Sequence, residues 1–320
     1  MAPLMEVLSF ILGSLVFPGL LFVSFIGLLY IGIDRKVTGH MQNRIGPPIW
    51  QEFLDVGKLL SKEDITPGAA QSPIFTAAPL VALGAAVTVM LLIPVSSAQP
   101  TLTMVADLVV IIYLLNIPAI CMMLGGYSSG SPFGATGAGR YVVQLFGYEL
   151  VFIIAILVAV VRVGSLGLPT IVNYQAQQGW LILDWRLLPA VIAALVAIQG
   201  KLLRVPFDIP EAESEIVHGP LTEYSGPKLA IWRLAYDVET IVVAGLFAAL
   251  FLGGPTAYVI GGVQIPSIVN FLIKTLAIVL LTTTLRNIMA RLRIDQALKF
   301  YWTSATMLAI ISLVFVLVVP

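Results

Sequence analysis

Long apolar runs separated by short polar segments dominate this chain. The runs at 7–33, 74–94, 102–122, 141–161, 187–204, 231–252, 266–285 and 300–319 are each close to the ~20 residues a helix needs to cross a hydrocarbon core. The pattern therefore predicts an all-α integral membrane protein of eight transmembrane helices, forming a single membrane domain over 1–320. The first run is too long for a signal-peptide core and carries no A-x-A-like cleavage site, so it is expected to remain as a helix, bent at Pro18 and Gly19.

Two polar segments break this rhythm. In the first, residues 34–64, the positions Trp50, Phe53, Leu54, Gly57 and Leu60 fall on one helical face, with Gln51, Glu52, Asp55, Lys58 and Lys62 around the other. Such a helix is expected to lie in the membrane surface with Trp50 at headgroup level. The second segment, 204–230, contains FDIPEAESEIVHGPLTEYSG (207–226) between the fifth and sixth runs. It holds five of the chain's 17 acidic residues: Asp208, Glu211, Glu213, Glu215 and Glu223. Mutual repulsion there is expected to move some of these carboxyls toward neutral pH, where they exchange protons. The plainer alternative is a solvated acidic loop.

Composition agrees with the patterning. The chain is 59% hydrophobic and 11% charged, with a formal net charge of zero and a mean hydropathy of +0.99. Of 17 Lys and Arg residues, 14 fall in or beside the polar segments after the first, third, fifth and seventh runs. By the positive-inside rule those segments face the cytoplasm, which places both termini outside and the protein in the plasma membrane. No nucleic acid is expected as a partner. Cys121 stands alone and only His40 and His218 are present, too few for an iron–sulfur cluster or a transmembrane haem held by this chain. No glycine-rich nucleotide fingerprint follows a strand, so any redox centre is expected in partner subunits.

Charges inside the apolar runs are the remaining candidates. Glu149 sits eight residues into the fourth run, where an unpaired carboxylate costs several kcal/mol, and is expected to face the bundle interior. The alternative is a neutral, hydrogen-bonded acid that only fixes helix packing. Asp107, Asp237 and Glu239 invite the same reading, with Lys274 as a countercharge.

Four blocks together resemble the membrane subunit of respiratory complex I known as subunit 1, and its counterparts in membrane-bound hydrogenases. They are DRKVTGHMQNRIGP (34–47) with LLSKE (59–63), GGYSSGSPFGATGAGR (125–140) running to Tyr148 and Glu149, RVPFDIPEAESEIV (204–217) and LTEYSGPKLA (221–230). The resemblance implies a docking subunit between a soluble redox arm and antiporter-like membrane subunits. It implies that the acidic loop and Glu149 belong to a proton pathway, and that Arg35, Lys36 and Arg44, with Trp50 on the surface helix, meet the soluble partner.

Several departures choose a branch of that family. The segment PPIWQEF (47–53) lacks the longer insertion of quinone-reducing members. Lys201 replaces a common glutamate, Tyr127 a tryptophan and Asp34 a glutamate, while Asp237 follows Tyr236 in the sixth run. These differences favour ferredoxin-linked complexes, with a nickel–iron hydrogenase-like pair of large and small subunits carrying the iron–sulfur clusters, or their sulfane-reductase relatives. A quinone reductase and an independent secondary transporter are the alternatives; the halves of the chain show no repeat in support of the latter.

Overall fold

The computed structural model describes residues 11–104, 106–260 and 263–318. The chain termini lie outside this range, and with them the outer ends of the first and eighth predicted spans.

The described chain is helical apart from one small hairpin. Its elements are α1 (Leu20–Met41), α2 (Gln51–Leu60), α3 (Ser72–Leu92), α4 (Asp107–Ser128), α5 (Pro132–Val163), α6 (Leu168–Gln178), α7 (Leu188–Lys201), α8 (Gly226–Phe251), α9 (Ser267–Ile288) and α10 (Ile294–Val318). Single turns lie at Leu181–Leu183, Glu213–Ile216 and Gly219–Leu221. Strands β1 (Tyr258–Ile260) and β2 (Val263–Ile265) pair antiparallel, with Val259 opposite Gln264. Helix boundaries follow local chemistry. Prolines 73, 132, 189 and 227 open α3, α5, α7 and α8, where a missing N–H leaves no bond unmade. Gly164 closes α5 at φ 76°, a left-handed cap that a residue with a Cβ adopts only under strain.

Among the described residues, seven helices are long and apolar enough to cross a membrane: the stretch Ile11–Met41 containing α1, then α3, α4, α5, α8, α9 and α10. The fifth predicted run, 187–204, forms only α7, a 14-residue helix. At 1.5 Å per residue that is about 21 Å, short of a full crossing. Helix α7 stops because Leu203 turns the backbone to φ 48°. The loop that follows folds back among the helices instead of leaving the bundle. Irregular backbone inside a membrane protein must have its polar groups met, and two buried amides meet them here. Gln144 Nε2 donates to the Gly200 and Phe207 carbonyls at 2.8 and 2.7 Å. Gln199 Nε2 donates to the Val205 carbonyl at 2.8 Å.

The glycine-rich segment 125–140 is helical except for a three-residue break. Its glycines are packing surfaces. A Cβ on Gly137 would lie 2.6 Å from Pro220 and 2.7 Å from Gly219 Cα, so α5 approaches the acidic loop closely only without a side chain there. Helix α8 is the centre of the bundle, packed by α1, α3 and α9 and covered along nearly its whole length. It carries Tyr236, Asp237 and Glu239 among these neighbours.

Candidate functional site: a charged cavity and a buried polar line

A cavity of about 420 Å³ opens where α1, α2, α8, α9 and the loop after α7 meet. Its lining mixes acids (Asp34, Glu52, Asp208, Glu211, Asp237) with arginines (Arg35, Arg204, Arg233, Arg286) and includes His218 and Tyr236. Charged groups in such density are stable only where they pair, and most do. Asp34 lies 3.2 Å from Arg286 and 3.6 Å from Arg204, and Thr283 donates its hydroxyl to the same carboxylate. Arg35 spans Glu52 and Asp55 at 2.8 Å each. Asp208 pairs with Arg291 at 3.2 Å.

The acidic loop divides by direction. Asp208 and Glu211 turn into the cavity, while Glu213 and Glu215 face outward, Glu215 held by Arg140. Glu223 is half-buried on the short connection to α8. Burial pushes the Glu211 carboxyl above the ordinary glutamate value; the Tyr236 hydroxyl, donating at 2.8 Å, and His218 oppose this, and Asp208 and Glu213 reinforce it. Glu215 goes the other way, because the Arg140 guanidinium favours its ionised form.

A narrow polar line leads away from this cavity. Tyr236, after its bond to Glu211, also lines a small hole of about 10 Å³ together with Tyr141, Trp232 and Glu239, roughly the space of one water. Glu239 is 3% exposed. Lys201, 1% exposed at the end of α7, donates to the Leu115 carbonyl at 2.9 Å and reaches the Asn116 Oδ1 at 3.5 Å. Its ammonium stands 5.3 Å from the centre of the Tyr148 ring. Asn116 Nδ2 donates to Glu149 Oε1 at 2.8 Å, while Glu149 Oε2 is buried without a hydrogen bond.

The structure thus gathers Asp208, Glu211, Asp237, Glu239 and Glu149 from the expected acids and leaves others apart. Asp107 belongs to the first turn of α4 rather than mid-span, and accepts the Met104 N–H at 2.6 Å, a helix-start role. Lys274 donates to the Gly254 carbonyl at 2.8 Å and lies over the Trp180 ring beyond the end of α8. Arg35, expected at a partner surface, is engaged within the chain by Glu52 and Asp55, while Lys36, Arg44 and Trp50 stay exposed. The amphipathic helix forms as α2, but Glu52 on its polar face is 2% exposed, drawn inward by Arg35.

Lys201, Asn116, Glu52, Arg204, Arg286 and His218 are the site residues that the patterning missed. For Lys201 the signal was the substitution of a lysine for the usual glutamate. Asn116, a lone amide in an apolar run, carried the only other one. Among the described residues no three His, Cys, Asp or Glu side chains converge as metal ligands.

A polytopic helical subunit whose broken helix and acidic loop enclose a charged cavity is the class this geometry defines. The family model described as NADH dehydrogenase matches residues 15–317. The H-type subunit of NADH-quinone oxidoreductase from Bacillus cytotoxicus is 36% identical over 294 residues, covering 88% of this chain and 86% of that protein. Its counterpart from Geobacillus kaustophilus is 34% identical over 321 residues, covering 98% and 94%. Among solved structures, a chain of the membrane-bound sulfane sulfur reductase, an archaeal respiratory membrane complex, superposes with a TM-score of 0.87 at 30% identity, covering 98% of this chain and 99% of that one. The chain belongs to the NADH dehydrogenase family, as a homologue of complex I subunit 1.

Proposed function

We propose that this chain is the membrane docking and coupling subunit of a respiratory complex, joining a ferredoxin-linked, hydrogenase-type soluble module to antiporter-like subunits that move H+ or Na+. The observation that carries the reading is that buried polar side chains, Glu211 with Tyr236, then Glu239, then Lys201 with Asn116 and Glu149, lie in succession from the charged cavity into the bundle. The basic end of the bundle faces the cytoplasm, α2 rests on the membrane surface, and Lys36, Arg44 and Trp50 border the soluble partner.

Electron transfer in the docked module changes charge above the cavity. A change of that kind biases proton positions along the line and, through them, neighbouring two-state elements. The subunit carries coupling, and the redox centres (iron–sulfur clusters, with nickel–iron in a hydrogenase) reside in partners. The direct run PPIWQEF (47–53), without the longer insertion of quinone-reducing members, supports this branch.

Quinone reduction is the second reading, favoured by the 36% identity to a membrane subunit of NADH-quinone oxidoreductase. The test is the metal content and substrate range of the intact complex, purified from native membranes through a tag on this chain. Nickel with abundant iron supports a hydrogenase module. Iron without nickel, with polysulfide-dependent turnover, supports the sulfane-reductase form, and quinone-dependent turnover would replace the proposal with the second reading.

A further inference from the structure

Between Glu239 and Glu149 the polar line contains no carboxylate; it contains a buried ammonium and an amide. Pro118 lacks the N–H that would close onto Leu114, so the middle of α4 is opened. In that turn the Leu115 carbonyl and the Asn116 side chain both receive Lys201. The Asn116 amide has its oxygen toward the cation and its NH2 on the Glu149 carboxylate, the orientation in which its dipole favours both charges at once.

We propose that Asn116 and Lys201 act as a positioning pair that connects Glu149 to the acids of α8 and the cavity. Through them, the charge state of Glu239 is felt at Glu149. Glu239 of α8 shares a small hole with Tyr141 of α5 and with Pro118, two residues beyond Asn116 on α4; the Tyr148 ring lies 5.3 Å from the Lys201 ammonium, and Glu149 accepts from Asn116. Of these, the Asn116 amide alone touches Glu149 by a hydrogen bond among the described contacts. Removing it separates Glu149 from Lys201 while leaving both side chains in place. Asn116 is half-buried, so Asn116→Leu makes no cavity and introduces no charge.

This inference rests on the ion-path reading above, and its test keeps the two apart. The intact complex is placed in liposomes, and ions moved per electron are read with a pH-sensitive dye and with radiolabelled Na+. In parallel, infrared difference spectra follow the carboxyl bands that vanish in Glu149→Gln. Asn116→Leu should shift those bands and lower the ions moved per electron several-fold, while redox turnover stays within about twofold of the parent. In the Glu149→Gln background it should add nothing. Lys201→Arg should keep most of the coupling that Lys201→Met loses.

Unmoved Glu149 bands in Asn116→Leu would overturn the proposal, as would an equal drop in both backgrounds. Normal coupling in Asn116→Leu with lost coupling in Glu149→Gln would overturn the pair but keep the pathway. Normal coupling in Glu149→Gln itself would sink the pathway reading and this inference with it.

Discussion

Arg204 and Asp34 form an ion pair at 3.6 Å with both side chains almost wholly out of solvent, 7% and 3% exposed. The pair joins the loop after α7 to α1, and Arg286 brings in α9. Removing one member of a buried pair leaves an uncompensated charge, which costs on the order of 3–5 kcal/mol. Asp34→Ala should therefore lower the thermal stability of the purified protein in detergent strongly. A loss below about 1 kcal/mol, the level of an exposed pair, would show that these arginines find other partners.

Gly200 and Tyr301 test the packing of α7 against α10. A Cβ on Gly200 would stand only 1.9 Å from the Tyr301 hydroxyl and 2.9 Å from its ring carbon. Gly200→Ala should destabilise by roughly 1–3 kcal/mol, the usual cost of overpacking. Adding Tyr301→Phe removes the nearer atom, so the double variant should recover part of the loss. Equal stability of the single and double variants would mean that the clash is relieved by backbone movement.

Glu211 gives a pH dependence with a definite sign. Its carboxyl is raised mainly by burial, so the folded protein binds a proton where the unfolded chain has lost it. Stability from this group is greatest below the ordinary glutamate range and falls as pH rises from there through the raised folded value. Glu211→Gln should flatten that decline in thermal unfolding measured from about pH 4 to pH 8. An unchanged slope would assign the decline to other groups.

The clamp of Arg35 on α2 predicts local loosening. Arg35→Ala leaves Glu52 buried without its 2.8 Å partner, a loss of roughly 1–3 kcal/mol. Amide exchange in 51–60 should quicken more than elsewhere. Arg35→Ala with Glu52→Gln should restore much of the protection, because burial already raises the Glu52 carboxyl toward its neutral form. Uniform exchange across the chain would show that α2 is held by its apolar residues alone.

Seven of the eight expected spans were legible because apolar length is a local property; the fifth run is apolar enough but forms only the 14-residue α7, because the turn at Leu203 is set by packing. Glu149 and the acidic loop were legible because charge is rare in such runs. What stayed hidden depends on partners distant in sequence. Lys201 reads as a basic residue at the end of a span, and only the approach of α4 shows that it points inward. Glu52 reads as part of a solvated face until Arg35 of α1 meets it. Asp107 reads as intramembrane because the apolar pattern begins before the helix does; the backbone places it at a helix start. The packing role of Gly137 in the 125–140 block shows only in the fold, where it admits Pro220 and Gly219 at short range.

The buried ammonium of Lys201 also bears on which species can travel. At an effective dielectric of about 20, two like unit charges 4 Å apart repel by about 4 kcal/mol, enough to depress occupancy roughly a thousandfold. Along the ion path proposed above, a sodium ion moving from Glu239 toward Glu149 would meet that fixed charge. On the coupling role proposed above, the subunit would pass a displacement of charge rather than a sodium ion, and sodium selectivity would fall to other subunits of the complex.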